Sequence, residues 1–341
     1  MNALFSPRMT KRTPPQLIRS AGRCTVVFTL LMAILCGART AQCATRTVTL
    51  VTSQGHAYEE VGNRVYNNLI GTEDLVLRTF NVGELDILNK NEAGFLDNAL
   101  VVTVGTSALK YMATNHQNAT VLAIFVTSYS YQAVIAELAP QRHHFFGLYI
   151  DQPLERYLRL TQLILPSAKS LSITGLKAAN TVAEITESPS SNCSIHLEEV
   201  EMAADSNPIR LLDSYFARSD AFLVFPQANA LDRNSAKWIL YLASRHRKPV
   251  IAFSEKYVDG GALAAVFAGP SDIATETSDI LSVWRETGIP DTAWGKTGDV
   301  FTVKTNLRIA RFLKLKIASE SQLTQNLAKE SLARDCEVNE R

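Results

Sequence analysis

The sequence predicts an α/β protein of two Rossmann-like lobes, each a parallel sheet with helices on both faces, joined by a hinge. Two observations lead to this prediction. Short apolar runs rich in β-branched residues alternate with segments whose apolar residues recur at helical spacing, a pattern typical of buried parallel sheets. The alternation also occurs as two series of similar size, and 341 residues are enough for two domains.

The first series contains five predicted strands. They are the apolar runs at residues 47–53, 75–82, 99–105, 120–126 and 144–150. A helix is predicted after each of the first four strands. In the first of these helices, apolar residues recur at helical spacing and define one buried face, which consists of Tyr58, Val61, Val65 and Leu69.

The second series begins with a predicted helix between Pro153 and Pro166, because proline is favoured at the start of a helix and just past its end. Further strands, with helices between them, are predicted at residues 169–175, 193–200, 221–226, 249–253, 261–267 and 299–306. The two series give the following domain assignment. Lobe 1 takes residues 44–149 with a return segment at about 256–298, lobe 2 takes residues 150–255 with a return segment at about 299–316, and residues 317–341 form a polar C-terminal tail that is an exposed helix or disordered.

The N-terminal residues 1–43 have the three parts of a signal peptide. Six basic residues and no acidic residue occur in residues 1–44, an apolar run follows at residues 24–38, and small residues come after it. The apolar run is shorter than the roughly 20 residues that span a membrane. We therefore predict cleavage near Ala44 and export to the periplasm, with an uncleaved N-terminal anchor as the alternative.

Composition and motifs exclude several classes of function. A net charge of +1 gives no basis for nucleic-acid binding. No CxxC pair or Cys/His cluster is present, so we expect no metal site. The chain has no phosphate-binding loop, no GxGxxG motif and no Gly-x-Ser-x-Gly elbow, so we expect no cofactor and no enzymatic activity. Leu35 and Gln42 precede two cysteines where a lipoprotein signal needs a small residue, so no lipid anchor is expected.

Polar residues and glycines follow most of the predicted strands, at the point where each strand ends. In open α/β sheets the ligand crevice lies at the carboxyl ends of the strands, where helix N-termini also present backbone N–H groups. The recurrence of these joins predicts a site for a small polar molecule between the lobes. The candidate ligand-binding residues are Ser53, Gln54, His56, Gly105, Thr106, Ser107, Thr127, Ser128 and Tyr129 in the first series, and Thr174, Gln227, Asn229 and Ser254 in the second.

Four stretches of the sequence resemble a known family. They are "ALVVTVGTSALKY", "GLYIDQPLERYLRLTQLILPSAKSLSITG", "RKPVIAFSEKYVDGGALAAVFAGPSDIATETSDIL" and "VFTVKTNLRIARFLKL". On these stretches, residues 47–316 resemble one family of ABC-transporter substrate-binding proteins. It is the family of the tryptophan/tyrosine and purine type. The resemblance implies the type I periplasmic-binding fold. It also implies the capture of a small solute outside the cytoplasm for an inner-membrane ABC permease.

The sequence thus predicts an exported, monomeric binding protein that closes over a small molecule by hinge motion of its lobes. The chemistry of the joins fits an amino acid and a nucleobase-like ring equally well. A sensory module that feeds a membrane sensor protein would have the same fold without a permease. A periplasmic enzyme is the third class, and turnover of a bound molecule would distinguish it.

Overall fold

Two six-stranded sheets form the framework of the protein from Arg46 onward. The computed structural model describes residues 46–71, 75–87, 93–116, 118–138, 144–174, 195–200, 208–226 and 233–329. The predicted signal peptide at residues 1–43 lies outside these ranges. Within them, every helix is too short or too polar to cross a lipid bilayer.

The strands and helices alternate along most of the chain, as the apolar pattern predicts. The described strands are β1 (Arg46–Thr52), β2 (Leu75–Asn81), β3 (Leu100–Val104), β4 (Thr120–Val126), β5 (Phe145–Tyr149), β6 (Ser170–Thr174), β7 (His196–Glu199), β8 (Ala221–Val224), β9 (Val250–Ala252), β10 (Ala264–Phe267), β11 (Gly295–Thr297) and β12 (Thr302–Thr305). The described helices are α1 (His56–Leu69), α2 (Val82–Ile87), α3 (Thr106–Asn115), α4 (Ser128–Leu138), α5 (Leu154–Ile164), α6 (Pro208–Arg218), α7 (Arg233–His246), α8 (Glu255–Gly260), α9 (Pro270–Thr287), α10 (Leu307–Phe312) and α11 (Glu320–Lys329).

Sheet A has the strand order β11-β5-β4-β3-β1-β2, and every pair in it is parallel. Both faces of this sheet are covered, which explains why β3, β4 and β5 are almost continuously apolar. Val48 and Leu50 pack on one face with residues of α1 and α9, where the Phe146 and Trp284 rings are 4.8 Å apart. Val51 packs on the other face with residues of α3 and α4.

Sheet B has the strand order β12-β10-β9-β8-β6-β7 and is parallel except for β12, which runs antiparallel to β10. One core contains Leu171 and Val266 together with the buried face of α5, and the other contains Phe222 with residues of α6 and α7. In sheet A the strand order reverses between β1 and β3, and in sheet B it reverses between β6 and β8. Each sheet is therefore doubly wound, and each has its own switch point. The predicted fold class, two α/β lobes of this kind, is confirmed.

Three short crossover segments join the lobes. They are residues 150–153 between β5 and α5, residues 268–269 between β10 and α9, and residues 298–301 between β11 and β12. Each segment leaves one sheet at its carboxyl edge and enters the other lobe at the corresponding edge, because β12 is antiparallel and α9 packs back along sheet A. Since an extended residue spans at most about 3.6 Å, segments of this length hold the two carboxyl edges facing each other.

Arg156 connects the first and third crossover segments. Its Nη1 donates hydrogen bonds to the side-chain oxygen of Gln152 and, at 3.3 Å, to the carbonyl oxygen of Gly298. The guanidinium also lies 4.1 Å from the centre of the Phe301 ring, a favourable cation–π contact. Burial lowers the pKa of Arg156, while the nearby carboxylates of Asp299 and Glu276 act in the opposite direction.

Two carboxylates of α9 connect the second and third crossover segments. Asp272 Oδ2 accepts hydrogen bonds from the Gly269 N–H at 2.9 Å and from the Thr302 hydroxyl at 2.8 Å. Glu276 is only 6% exposed, and it accepts a hydrogen bond from the Val300 N–H at 3.2 Å. All three crossover segments are therefore tied to one another by charged side chains from the first turn of α5 and the first two turns of α9.

Two assignments made from the sequence need correction. The return to lobe 1 does not begin at about 256, because β10 pairs within sheet B and Val266 belongs to a sheet B core; the first return residue packed with lobe 1 is Ala268. The segment after residue 317 is not only a polar tail, because Leu323 and Leu327 of α11 are buried in that same sheet B core. The strand β11 was not foreseen in the sequence.

We expect Glu276→Gln to lower the free energy of unfolding by about 1–2 kcal/mol, because a charge-assisted hydrogen bond to the Val300 N–H becomes a neutral one. The change also removes the ion pair with Lys296, whose Nζ is 3.3 Å from the carboxylate. Glu286→Gln, on the exposed face of the same helix, serves as the matched control with an expected change near zero. Equilibrium urea unfolding measures both, and equal effects of the two changes would contradict the role of Glu276.

Candidate functional site

The carboxyl edge of sheet A brings Ser53 and Gly105 together at the switch point between β1 and β3. Ser53 follows β1 and is 2% exposed, and its N–H bonds the Val104 carbonyl oxygen at 2.9 Å. Its hydroxyl oxygen accepts a hydrogen bond from the Ala108 N–H, in the first turn of α3, at 3.1 Å. Ser53 therefore caps α3 from a neighbouring strand, in place of Gly105, which stands at the N-cap position without a side chain.

Gly105 is required by its backbone and by its surroundings. Its φ is +88°, a conformation that residues with a side chain rarely adopt. A Cβ at this position would lie 2.5 Å from the Tyr58 ring and 2.7 Å from the Ser53 hydroxyl oxygen. The glycine in the motif "VGTS" thus allows Ser53 to reach the helix.

Thr106 and Ser107 are the first two residues of α3. They precede Ala108, whose N–H donates a hydrogen bond to the Ser53 hydroxyl oxygen. Thr106 is half-buried, whereas Ser107 is exposed. The first N–H groups of a helix have no partner inside it, and this end of the helix dipole is positive. The two residues therefore offer hydroxyls and N–H groups at the edge that faces the other lobe.

Two N–H groups at the start of α4 already donate hydrogen bonds to side chains of the protein. Thr127 acts as its cap, since its hydroxyl oxygen accepts a hydrogen bond from the Ser130 N–H at 3.1 Å. Asp151, in the first crossover segment, accepts hydrogen bonds from the Ser128 N–H at 2.6 Å and from the Ser128 hydroxyl at 2.5 Å. Ser128 thus fixes the crossover to lobe 1, while Tyr129 beside it is 50% exposed.

Gln54 and His56 lie at the other side of the switch point, and both are exposed. The Gln54 amide lies against Gly83 in the first turn of α2, where a Cβ would meet its nitrogen at 2.5 Å. That turn is closed by the Asn81 and Glu84 side chains, each of which accepts the other's backbone N–H. His56 is the first residue of α1.

In lobe 2 the structure describes part of the predicted site. Thr174 ends β6 and is fully buried, and its hydroxyl has no hydrogen-bond partner among the described residues. Ser254 stands at the N-cap position of α8 without a side-chain cap bond. Gln227 and Asn229 lie outside the described residues. Thr174 and Ser254 are therefore the two predicted site residues of lobe 2 that lie among the described residues.

Two aromatic residues at the carboxyl edge of sheet A were not foreseen as site residues. Tyr58 of α1 and Phe125 of β4 make an edge-to-face contact, with ring centres 5.9 Å apart. Phe125 has a φ of +54° and lies at a register irregularity of β4, between Ile124 and Val126. Non-glycine residues in this conformation are strained, and such strain is concentrated at functional sites. The sequence around Phe125, "IFVTS", does not indicate this unusual backbone conformation.

Among the described residues, no group of three or more His, Cys, Asp or Glu side chains could hold a metal ion.

The comparisons with known proteins bear on the fold. No family model matches the chain, and no curated protein matches it. A solved structure of a ligand-free, open substrate-binding protein with adhesive properties from Clostridium difficile is 15% identical, with a TM-score of 0.63, and the match covers 80% of this chain and 96% of that one. A structure from Streptococcus pneumonia, described as an ABC domain in complex with L-Trp, is 15% identical, with a TM-score of 0.53 and coverages of 84% and 99%.

At this level of identity, these two structures establish the fold alone. It is the two-lobe α/β fold of type I periplasmic binding proteins, as the resemblance in the sequence implies. The narrower tryptophan/tyrosine and purine type is not established by them. One of the two is described as a substrate-binding protein and the other as an ABC domain in complex with L-Trp, and neither is described as an enzyme.

Gly105→Ala is expected to lower the free energy of unfolding by about 2–4 kcal/mol, because the positive φ and the contacts with Tyr58 and Ser53 both oppose a Cβ. Gly71→Ala is the matched control. Its φ of +84° is almost the same, but nothing lies within 4 Å of the added carbon, so we expect a loss of about 1 kcal/mol. Equal losses in urea unfolding would show that close packing at Gly105 does not matter.

The stability of the protein at alkaline pH depends on Tyr149, the last residue of β5. Burial, and secondarily the Asp151 carboxylate, raises the pKa of Tyr149 to about 12, whereas an unfolded phenol titrates near 10. Between these values the unfolded chain loses a proton that the folded protein keeps, so stability is complete below pH 10 and falls as the pH rises toward 12. We expect this group to lower the free energy of unfolding by about 1 kcal/mol at pH 11. Tyr149→Phe should therefore reduce the difference between urea unfolding at pH 8 and pH 11, and identical differences would contradict the assignment.

Proposed function

We propose that this protein captures a small molecule between its two lobes and does not transform it. The observation that carries the proposal is the geometry of the three crossover segments, which hold the carboxyl edges of both sheets face to face. In doubly wound sheets, ligands bind at this edge and at the switch point. The crossover segments are two to four residues long, so they also provide the hinge about which the lobes can close.

The groups at the carboxyl edge suit a ligand with a polar head and an apolar or aromatic body. Thr106 and Ser107 offer hydroxyls and helix N-terminal N–H groups for a carboxylate or a carbonyl oxygen. The exposed ring of Tyr129 and the edge-to-face pair of Tyr58 and Phe125 offer apolar surface for the body of the ligand. An amino acid or a nucleobase-like molecule has both features.

We further propose that the protein works outside the cytoplasm, as a monomer, and delivers its ligand to an ABC importer in the inner membrane. The signal-like residues 1–43 and the two-lobe fold support this role. A permease and a membrane sensor would both recognise the closed form of the same fold. Ligand binding is common to the two roles, and it is therefore the property to test first.

A thermal-shift screen of the full chain against amino acids, purines, pyrimidines, sugars and small acids tests ligand capture. A ligand at 100 times its dissociation constant stabilises the folded state by about 2.7 kcal/mol, a readily measured rise in Tm. Mass spectrometry of the bound molecule after incubation should recover it unchanged. Recovery of a converted product would replace the binding role with an enzymatic one, and a screen without a hit would count against solute capture.

For any hit, we expect Ser107→Trp to abolish at least nine-tenths of the affinity, because the indole would fill the space ahead of α3. The Tm without ligand should stay unchanged, since Ser107 is exposed. Thr114→Trp is the matched control, as it is exposed near the opposite end of the same helix. Isothermal titration calorimetry compares the two variants, and equal affinities would place the ligand elsewhere.

A further inference from the structure

One end of lobe 2 carries a concentrated group of basic side chains. Residues 245–248 and 307–316 contain seven lysines and arginines and no acidic residue. We call this surface the basic end patch, defined by Arg245, Arg247, Lys248, Arg308, Arg311, Lys314 and Lys316. By contrast, the chain after residue 44 has 28 basic and 33 acidic residues, so the patch is a local reversal of charge on an acidic body.

The basic end patch lies at the edge of sheet B opposite the hinge. Helix α7 ends at His246, four residues before β9 begins at Val250, and α10 begins two residues after β12 ends at Thr305. The start of β9 and the end of β12 flank the start of β10, where Ala264 pairs with Ile251 and Thr305. This amino edge is remote from the candidate ligand site, so the patch serves neither solute binding nor the crossover segments.

The helix dipole explains only some of these charges. Cations are favoured near the C-terminus of a helix, which accounts for Arg245 and Arg311. Arg308, however, lies in the first turn of α10, where a positive charge opposes the dipole. Among the described residues, Asp213 lies 3.8 Å from Arg245, and the Asp220 carboxylate interacts electrostatically with Lys248.

Two of the cations stand where the backbone favours glycine. Arg247 follows α7 with a φ of +52°, and Lys314 follows α10 with a φ of +58°. Glycine is the usual residue in this left-handed conformation just past a helix, because other side chains are strained there. The helix dipole favours a cation at both positions, which offsets part of the strain and adds two exposed charges to the patch.

Exposed apolar side chains lie among the cations. Leu307 is 62% exposed and Phe312 is 45% exposed, and both belong to α10. The Arg247 guanidinium carbon is 5.7 Å from the centre of the Phe312 ring, so the ends of α7 and α10 form one continuous surface. Asn306 fixes the start of α10, since its side-chain oxygen accepts the N–H groups of Arg308 and Ile309 at 3.1 Å each.

We propose that the basic end patch binds the surface of an anionic lipid membrane. Clustered lysines and arginines are attracted to negative headgroups, and their long stems, with a leucine and a phenylalanine, can enter the apolar boundary beneath. The centre of a protein interface is depleted in charged residues, lysine above all, whereas this patch is charged throughout and contains three lysines. The proposal is independent of the identity of the solute.

Sedimentation with lipid vesicles tests the proposal on the full chain. The vesicles are phosphatidylcholine with phosphatidylglycerol or phosphatidylcholine alone. Residues 1–44 carry six further cations, but they are identical in every variant, so the comparison between variants isolates the patch. Each cation near a membrane of this charge is worth about a fivefold change in partitioning. The triple change Arg308→Gln, Arg311→Gln and Lys314→Gln should therefore lower binding to the anionic vesicles about 100-fold, and 0.5 M salt should lower binding of the parent protein.

A matched control removes three exposed cations elsewhere, by Lys110→Gln, Lys237→Gln and Arg285→Gln, and should retain binding to within a few fold. A second variant guards against loss of folding. The pair Arg247→Gly and Lys314→Gly relieves the left-handed strain, so its Tm should be no lower than that of the parent. Its binding to anionic vesicles should nevertheless fall about 25-fold.

Three results would overturn the proposal. One is equal binding to anionic and neutral vesicles, and another is an equal loss of binding in the patch variants and in the matched control. The third is binding to a soluble acidic polymer, with no binding to anionic vesicles, which would assign the patch to an acidic macromolecule instead. Selective loss in both patch variants, with an unchanged or raised Tm in the glycine pair, would support membrane binding.

Discussion

The shortness of the three crossover segments is the constraint on which the rest of the structure depends. Residues 150–153, 268–269 and 298–301 cannot span more than about 15 Å each, so the carboxyl edges of the two sheets must face each other. Every helix that starts at these edges then presents its N-terminal N–H groups to the space between the lobes. Arg156, Asp272 and Glu276 tie the segments together, so a displacement of one segment acts on the other two.

The polar residues at the carboxyl edge have two different roles. Ser53 and Ser128 are committed to the framework, because one caps α3 and the other binds Asp151 of the first crossover. The side chains of Thr106 and Ser107 make no such hydrogen bond among the described contacts, and they are the residues that we propose for ligand binding. A polar side chain at the end of a strand therefore indicates where a strand meets a helix. Its hydrogen bonds show whether the side chain stabilises the framework or is available to a ligand.

Much of the fold can be read from the sequence, because buried parallel strands are nearly continuous apolar runs and amphipathic helices are periodic. The exceptions have physical causes. Strand β11 has only three residues, two of which are Gly295 and Lys296, so its place in the sheet depends on pairing with β5 rather than on its own propensity. Helix α11 buries only Leu323 and Leu327, too few for a periodic signal. The cap from Ser53 joins residues 55 positions apart, and no local pattern reports it.

The two edges of sheet B separate two kinds of surface. At the carboxyl edge, the carboxylates of Asp272 and Glu276 accept hydrogen bonds from Thr302 and from the Val300 N–H near the hinge. At the amino edge, the seven cations of the basic end patch outnumber their acidic neighbours Asp213 and Asp220 among the described residues. In the hinge closure that we propose, the two sheets move as rigid bodies about the crossover segments, so the amino edge keeps its geometry in open and closed forms. A contact made there leaves the hinge free to close, and so attachment and solute capture can occur in the same molecule at the same time.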